Sequence, residues 1–237
     1  MHEYIRILEK KRNLPEKELV VTGAPYMDSM SRSQTAAHRI SDKTTVLLSP
    51  TWGDSAILAN FGEKLITALS KSDFYVIIRP HPQSLISEKN LIDFLVNKFK
   101  DKTNIKWDFS SDNLEAMTVS DIMITDVSGI IYEYAFLFNK PFIYSNANFN
   151  INLYDAKDVG IETFKTKTFK TIGKELKEEN IDDIENIINS ILSDNIISSE
   201  IEKLKNEIWR YQGCGAKNVA DFLINKQNEI NNRDNMK

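Results

Sequence analysis

The sequence predicts an α/β domain in which short strands alternate with helices around a parallel β-sheet. Five runs have the length and the β-branched or apolar composition of buried strands: 44–49, 74–78, 105–107, 121–125 and 141–145. Helical patterns separate these runs, and this alternation is typical of parallel sheets with right-handed crossovers. We therefore predict a doubly wound, Rossmann-like domain, in which ligands bind beyond the carboxyl ends of the strands.

The segments between these strands carry apolar residues at helical spacing. Helices are predicted at about 55–71, 91–99 and 129–138. Residues 180–226 are helical in pattern throughout, so the domain with its terminal helices is expected to span 44–226. The polar residues 227–237 are expected to form a frayed tail.

Residues 1–43 are predicted to form an N-terminal helix or edge segment and a linker. Residues 19–22 have the composition of an edge strand and precede the turn Gly23-Ala24-Pro25. The polar stretch 31–42 is expected to be a linker or an exposed loop that leads into the first central strand.

The composition argues against several classes of protein. With 41% apolar residues among 237, the chain has enough apolar surface for a globular core. The formal net charge of −4 argues against a nucleic-acid partner, because dedicated binders are normally basic. The sequence has no run of about 20 apolar residues, so no membrane-spanning helix is predicted.

The cysteine and histidine content argues against a metal centre. Cys214 is the only cysteine, which excludes a disulfide within one chain and a cysteine-based zinc site. A reducing, cytoplasmic setting fits this content. The three histidines, His2, His38 and His81, are scattered, so we predict neither a metal site nor a cofactor.

Three common motifs are absent from the sequence. No strand is followed by G-x-G-x-x-G, and there is no G-x-x-x-x-G-K-[ST], which disfavours a dehydrogenase and a P-loop NTPase. The G-x-S-x-G elbow is also absent, which argues against an α/β-hydrolase.

The first suggestive strand end is Thr51-Trp52-Gly53, between a strand and a helix. Thr51 offers a hydroxyl, Trp52 a stacking surface, and Gly53 room for a ligand to approach the backbone. The alternative interpretation is an ordinary turn in which the tryptophan covers the edge of the core.

The second suggestive strand end is Arg79-Pro80-His81-Pro82. A guanidinium here suits a phosphate, because its planar fork can donate two hydrogen bonds. His81 could donate to a phosphate oxygen or act as a general acid or base, and the prolines would fix both side chains in direction. The alternative is that Arg79 pairs with a surface carboxylate and His81 is an ordinary loop residue.

The third suggestive strand end contains Asp126, Ser128 and Gly129 and runs into a helix. A helix N-terminus presents unpaired N–H groups and a partial positive charge, which suit an anion. Ser128 could donate to a phosphate or cap the helix, and Gly129 would let a phosphate touch the backbone. Glu133, one turn further, could reach a ribose hydroxyl or could be solvated. Asp126 is expected to orient the turn.

Together these motifs resemble one family. The order PTW, then RPHP, then DVSGIIYEYAFLFNKPFIY is similar to the carboxyl-terminal half of CDP-glycerol glycerophosphotransferases. The turn Gly23-Ala24-Pro25 with Asp28 resembles the element that opens that half. The resemblance covers about 19–224 and implies the C-terminal half of a GT-B fold, whose enzymes work in the cleft between two Rossmann-like domains.

The resemblance implies a transferase that builds teichoic-acid-type polymers. Such enzymes move an alcohol phosphate from a CDP-activated donor to an acceptor hydroxyl and release CMP. His81 would be one of two catalytic histidines, the other lying in an amino-terminal acceptor domain that we do not find in this sequence. A lipid-linked acceptor would imply peripheral contact with the inner face of the cell membrane. The residues expected to bind the donor are Arg79, Pro80, Thr51, Trp52, Gly53, Ser128, Gly129 and Glu133.

Departures from the family pattern leave two other functions open. The family often has arginine at the positions of Tyr26 and Gly53, and commonly serine and aspartate at those of Gly129 and Glu133. Fewer positive charges at a pyrophosphate site would suit a different donor, so a GT-B glycosyltransferase that uses a UDP- or CMP-sugar is one alternative. A nucleotide-binding module that is inactive on its own is the other.

Overall fold

The protein forms one six-stranded parallel β-sheet with helices on both faces, as seen in a computed structural model that describes residues 2–34, 39–147, 150–153, 155–159 and 164–234. The strands are β1 Thr45–Leu48, β2 Tyr75–Ile78, β3 Ile105–Trp107, β4 Ile122–Asp126, β5 Phe142–Ser145 and β6 Gly173–Glu175. Their order in the sheet is β3-β2-β1-β4-β5-β6. The predicted doubly wound architecture is confirmed, with the direction of winding reversing between β1 and β4.

The helices connect successive strands and extend the domain at both ends. They are α1 His2–Lys11, α2 Pro25–Ser33, α3 Ile57–Leu69, α4 Ser84–Ser87, α5 Lys89–Phe99, α6 Leu114–Val119, α7 Ile130–Phe138, α8 Phe164–Ile172, α9 Ile184–Leu192, α10 Asn195–Ile208 and α11 Gly215–Asp234. Short 3₁₀ helices span Ile151–Leu153, Asp155–Val159 and Glu178–Asp183.

The central strands are apolar throughout because each is covered on both faces. In β1, Val46 and Leu48 pack into the core formed with α3, α5 and α9, whereas Leu47 faces the opposite core, formed with α6, α7, α8 and α10. Leu48 pairs in register with Ile78 of β2 and Ile124 of β4. The carboxyl ends of these three strands therefore lie side by side, which positions the candidate site.

The sixth strand was not predicted, because its sequence does not have the composition of a strand. β6 consists of one glycine and two charged residues at the edge of the sheet, paired with β5. Its glycine is required by packing, since a Cβ on Gly173 would lie 2.3 Å from Cε2 of Phe142. A polar edge strand of this kind carries no apolar alternation that could reveal it.

The predicted edge strand at 19–22 is wrong. These residues run as irregular chain before α2, and the edges of the sheet are β3 and β6. Val20 and Val21 are 47% and 42% exposed, so their β-branched side chains are not drawn into a sheet. The predicted linker is also partly helical, because α2 continues to Ser33, and residues 35–38, including His38, lie outside the described residues.

The C-terminal region forms three helices where the pattern predicted continuous helix. Asp194 caps α10 by accepting a hydrogen bond from the N–H of Ile196 at 2.8 Å, and Gly213 turns the chain before α11 with a φ of +80°. The last helix continues to Asp234 where a frayed tail was predicted, and 235–237 lie outside the described residues. Side-chain pairs one turn apart, such as Gln227 with Asn231, support this extension.

Candidate functional site

A cavity of about 360 Å³ opens at the carboxyl ends of β1, β2 and β4, beside the point where the sheet reverses its winding. Five predicted site residues line this cleft: Arg79, Pro80, His81, Ser128 and Glu133. Thr51, Trp52 and Gly53 follow the lining residue Pro50 in the chain, and Gly129 follows Ser128. The structure thus brings the three suggestive strand ends to one place.

Arg79 lines the cleft, but its guanidinium is held by the loop after β3. Its Nη1 donates to the Asp108 carboxylate at 2.5 Å and to the Ser110 hydroxyl at 2.9 Å, and its Nη2 donates to the Ser110 carbonyl at 2.6 Å. Burial raises the pKa of Asp108, but hydrogen bonds from Ser110 and Arg79 and the charge of Arg79 outweigh it, so this pKa lies below its usual value. The geometry therefore favours a bracing role for Arg79 over the predicted direct phosphate contact.

His81 is held by the turn that follows it. Its Nδ1 accepts a hydrogen bond from the backbone N–H of Gln83 at 3.1 Å, and its carbonyl accepts one from the N–H of Ser84 at 2.8 Å. Since Nδ1 acts as an acceptor, the neutral imidazole carries its proton on Nε2. In that tautomer the Nε2–H is the hydrogen-bond donor of the His81 ring.

The loop between β1 and α3 presents Trp52 towards His81. The two ring centroids are 6.4 Å apart with planes inclined by 36°, and Trp52 is 49% exposed. This exposure does not fit the alternative in which the tryptophan covers the core. Gly53 has a φ of +90°, and its N–H donates to Glu88 at 2.9 Å, so the turn after Trp52 depends on a glycine.

The loop between β4 and α7 places a helix N-terminus in the cleft. Gly129 is the N-cap of α7, and among the described residues no side chain makes a cap hydrogen bond there, so Ser128 does not act as the predicted cap. A Cβ on Gly129 would meet none of the described residues within 4 Å. The N–H of Tyr132 donates to the carbonyl of Gly129 at 3.1 Å, and the space beside the Cα of Gly129 is open at this end of α7. A helix N-terminus carries a partial positive charge.

Glu133 lies one turn into α7 and is not a freely solvated side chain. Burial raises its pKa, and a hydrogen bond with the Asn113 side chain partly opposes that rise. Tyr26 of α2 lines the same cleft, and burial together with the charge of Glu133 raises the pKa of its phenol. The cleft therefore joins a carboxylate, an amide and a phenol near the helix N-terminus.

Two lining residues, Ser111 and Asn113, were missed from the sequence. They lie in the polar stretch 110–113 after β3, and the rule that ligands bind beyond strand ends could have identified that stretch. Tyr26 was noted only as a departure from the family. Its approach to the cleft depends on how α2 packs against α7, which the sequence does not reveal.

Neither a metal cluster nor a membrane-spanning helix is found in the part of the chain that the structure describes. There, no group of three or more histidine, cysteine, aspartate or glutamate side chains could hold a metal ion. No described helix is both long and apolar enough to cross a membrane.

Comparison with known families decides the assignment. The family model of the CDP-glycerol:poly(glycerophosphate) glycerophosphotransferases matches residues 2–212, which is most of the chain. The chain belongs to this glycerophosphotransferase family. The match begins earlier than the resemblance predicted from the sequence and ends before the last helix.

Individual relatives of this glycerophosphotransferase-family chain are distant. It is 26% identical over 166 residues to the teichoic acid glycerol-phosphate primase of Bacillus subtilis, covering 65% of this chain and 40% of that protein. It is 22% identical over 188 residues to the minor teichoic acid biosynthesis protein GgaB of the same organism, covering 67% of this chain and 19% of that protein. The solved structure of the wall teichoic acid polymerase TagF superimposes with a TM-score of 0.50 at 17% identity, covering 95% of this chain and 50% of that one. This chain therefore spans less than half the length of either curated relative and shares the fold of a GT-B domain.

Proposed function

We propose that this chain is the donor-binding domain of a transferase that moves glycerol phosphate, or a related alcohol phosphate, from a CDP-activated donor to an acceptor hydroxyl. One observation carries the proposal: His81, Ser128 and Glu133 line one cleft at the N-terminus of α7. A hydrogen-bond donor, a helix N-terminus and a carboxylate are what a phosphate-linked ribonucleotide requires.

Each group in the cleft has a part of the donor to recognise. The diphosphate would lie against the first N–H groups of α7 and the Ser128 hydroxyl, with the open space at Gly129 admitting a phosphate oxygen. Glu133 would accept hydrogen bonds from the ribose hydroxyls. Trp52, half exposed beside His81, would shelter the transferred group from water.

The chemical step is transfer of a phosphoryl group to an alcohol. The acceptor oxygen attacks the β-phosphorus, a new phosphorus–oxygen bond forms, and the bond to the oxygen bridging the two phosphates breaks, so that CMP leaves. Nε2–H of His81 would donate a hydrogen bond to the phosphate as negative charge moves onto the leaving group. The acceptor proton would pass to a base outside this chain, for which the predicted histidine of the acceptor domain is the candidate.

Arg79 would support the wall of this cleft, which it also lines. Its salt bridge with Asp108 fixes the loop that carries Ser111 and Asn113 against the end of β2. Pro80, directly after Arg79, is buried and limits the path of the chain towards His81. Arg79 and Pro80 would therefore act by holding the wall of the cleft.

The acceptor site belongs to a second domain in this proposal. GT-B enzymes work between two Rossmann-like domains, and this chain aligns with 50% of the TagF chain. The domain would bind the polymer or lipid-linked acceptor, and a lipid-linked acceptor would bring the enzyme to the membrane surface. Turnover is expected only when both domains are present.

A UDP- or CMP-sugar is the second candidate donor. In this proposal the lining residues of the cleft would recognise a phosphate or diphosphate and a ribose, which these sugar nucleotides share with CDP-alcohols. The two classes of donor differ in the nucleobase and in the group that is transferred, so these parts of the donor decide between them.

Calorimetric titration of this chain with CDP, CDP-glycerol, CDP-ribitol, UDP and UDP-sugars tests the proposal. We expect saturable binding of CDP and CDP-glycerol that is tighter than binding of UDP. Loss of CDP binding in Glu133→Ala, with binding retained in Glu63→Ala on α3, would localise the ribose. Tighter binding of a UDP-sugar would support sugar transfer instead, and no nucleotide binding would contradict the proposal.

A further inference from the structure

The side chain of Asp126 joins the two loops that meet at the reversal point of the sheet. It is the last residue of β4, and its carboxylate is 2% exposed. Both of its oxygens accept a hydrogen bond from the N–H of Thr51 at 3.0 Å, and Oδ2 also accepts one from the N–H of Ile57 at 3.1 Å. One carboxylate therefore holds both ends of the segment 51–57.

The carboxylate of Asp126 lies at the N-terminus of α3 and accepts a hydrogen bond from its first residue. Ile57 is the first residue of α3, and its N–H would be unpaired within the helix. Because Asp126 accepts this N–H from within the protein, the start of α3 is already filled by a carboxylate. The helix N-terminus at the cleft is that of α7, which begins at Ile130, three residues beyond Val127.

The segment held by Asp126 follows Pro50, which lines the cleft, and contains Trp52. Trp52 lies between the two anchor points and faces the ring of His81. A second anchor is Glu88, which accepts the N–H of Gly53. The chain that follows Asp126 supplies Ser128, so displacement of one loop would be transmitted to the other.

We propose that Asp126 is a positioning residue for donor binding, whose carboxylate holds residues 51–57 so that the ring of Trp52 stays beside that of His81, which lines the cleft. The inference rests on the proposed function, because it concerns how the donor site is assembled. Asp126 does not line the cleft and makes no contact with the donor in this account.

The strength with which Asp126 holds residues 51–57 is expected to depend on whether its carboxylate is protonated. Burial raises the pKa of Asp126 to about 6, opposed by hydrogen bonds from the N–H groups of Ile57, Thr51 and Asp126 itself and by the charge of Lys165. The charged side chain that acts on it is Lys165 of α8, and the backbone N–H groups of Thr51 and of Ile57, the first residue of α3, donate to it. An ionised carboxylate accepts these hydrogen bonds more strongly than a neutral one, so the segment is held more firmly above that pH.

An electrostatic effect would act in the opposite direction. A negative charge beside the diphosphate would weaken donor binding, and removal of the charge would then strengthen it. The substitution Asp126→Asn separates the two effects, because it removes the charge and one acceptor but keeps the shape. A positioning role predicts weaker CDP binding in this variant, by roughly tenfold for the loss of one charge-assisted hydrogen bond.

The first measurement uses the unliganded chain and does not depend on the proposed function. In amide NMR spectra between pH 5 and 7.5, the N–H signals of Thr51 and Ile57 should titrate together with a midpoint near pH 6. The N–H signals of Gly213 and Gly215 serve as controls, because they donate to Asp28, whose pKa lies below its usual value. The titration of Thr51 and Ile57 should vanish in Asp126→Asn.

The second measurement is CDP affinity of the wild-type chain and Asp126→Asn by calorimetry. Weaker binding in the variant, with folding confirmed by unchanged Gly213 and Gly215 signals, would support the inference. Equal or tighter binding would overturn it, as would amides of Thr51 and Ile57 that do not titrate. If the wild-type chain binds no nucleotide, both the proposed function and the inference about donor binding are wrong. If the wild-type chain binds CDP and Asp126→Asn binds it equally well, only the inference is wrong.

Discussion

The indole N–H of Trp209 donates a hydrogen bond to the buried carboxylate of Asp28 at 2.8 Å, joining the start of the chain to its last helices. The same carboxylate accepts the N–H groups of Gly213 at 2.7 Å and Gly215 at 2.8 Å. Asp28 thus fixes α2, which brings Tyr26 to the cleft, against the turn that opens α11. This arrangement explains the structural role of Asp28 in the element that the sequence analysis identified together with the turn Gly23-Ala24-Pro25.

Loss of the Asp28 carboxylate should destabilise the fold. Asp28→Ala leaves three donors without their acceptor, two of them in buried hydrogen bonds, and we expect it to lower the free energy of unfolding by about 3 kcal/mol. Urea denaturation at pH 7 measures the change. Asp221→Ala on α11, which removes an exposed ion pair with Lys217, is the matched control and should change stability by less than about 0.5 kcal/mol. Equal effects of the two substitutions would contradict the structural role of Asp28.

The same carboxylate should make stability sensitive to acid. Burial raises the pKa of Asp28, but hydrogen bonds from Gly213, Gly215 and Trp209 outweigh it, so the pKa is lower in the folded state than in the unfolded state. The stabilisation is therefore complete above the unfolded pKa and is lost as pH falls through the folded value. Urea titrations between pH 3 and 7 should show a steeper loss in the wild type than in Asp28→Asn. Parallel curves would contradict this assignment.

Two glycines of the candidate site should respond differently to alanine. Gly53 has a φ of +90°, and Gly53→Ala should cost about 1 kcal/mol through backbone strain. Gly129 has a φ of −70° and open space before it, so Gly129→Ala should leave stability nearly unchanged. The added methyl group would occupy the proposed phosphate position and should weaken CDP binding by about tenfold. Thermal unfolding and calorimetry on both variants check the pair, and undiminished CDP binding by Gly129→Ala would exclude the α7 N-terminus as the phosphate site.

Substitution of Arg79 can distinguish a bracing role for its guanidinium from direct contact with a phosphate. If it braces the loop after β3, Arg79→Ala should lower the free energy of unfolding by about 3 kcal/mol, because Asp108 loses its partner in a largely buried pair. Replacing both residues, as in Arg79→Met with Asp108→Leu, should recover part of that loss. A variant Arg79→Ala with unchanged stability and abolished CDP binding would restore the direct phosphate contact predicted from the sequence.

The fold was accessible from the sequence because the central strands are apolar on both faces. Val46 and Leu47 pack into opposite cores, so consecutive residues of β1 are apolar. Such a run is typical of a strand in a parallel sheet that is covered on both faces. Gly173, Lys174 and Glu175 form a strand only because the edge of β5 is beside them, and no local pattern records that neighbour. Local composition therefore identified the centre of the sheet and missed its edge.

The site was accessible only in part. The rule that ligands bind at strand ends selected the segments of Arg79, His81 and Ser128, and in the structure these three residues line one cleft. It could not show that the Arg79 guanidinium is taken by Asp108, since that contact depends on the path of a loop 29 residues further along the chain. Whether a polar side chain is free to bind a ligand depends on its contacts in the folded protein, and the pattern of residues along the sequence does not show these contacts.

A structure of this chain with CDP tests the central claim most directly. The diphosphate should lie within hydrogen-bonding distance of the first N–H groups of α7 and of Nε2 of His81, with the ribose on Glu133. A diphosphate bound at the start of α3 or away from the cleft, with His81 turned from it, would contradict the account.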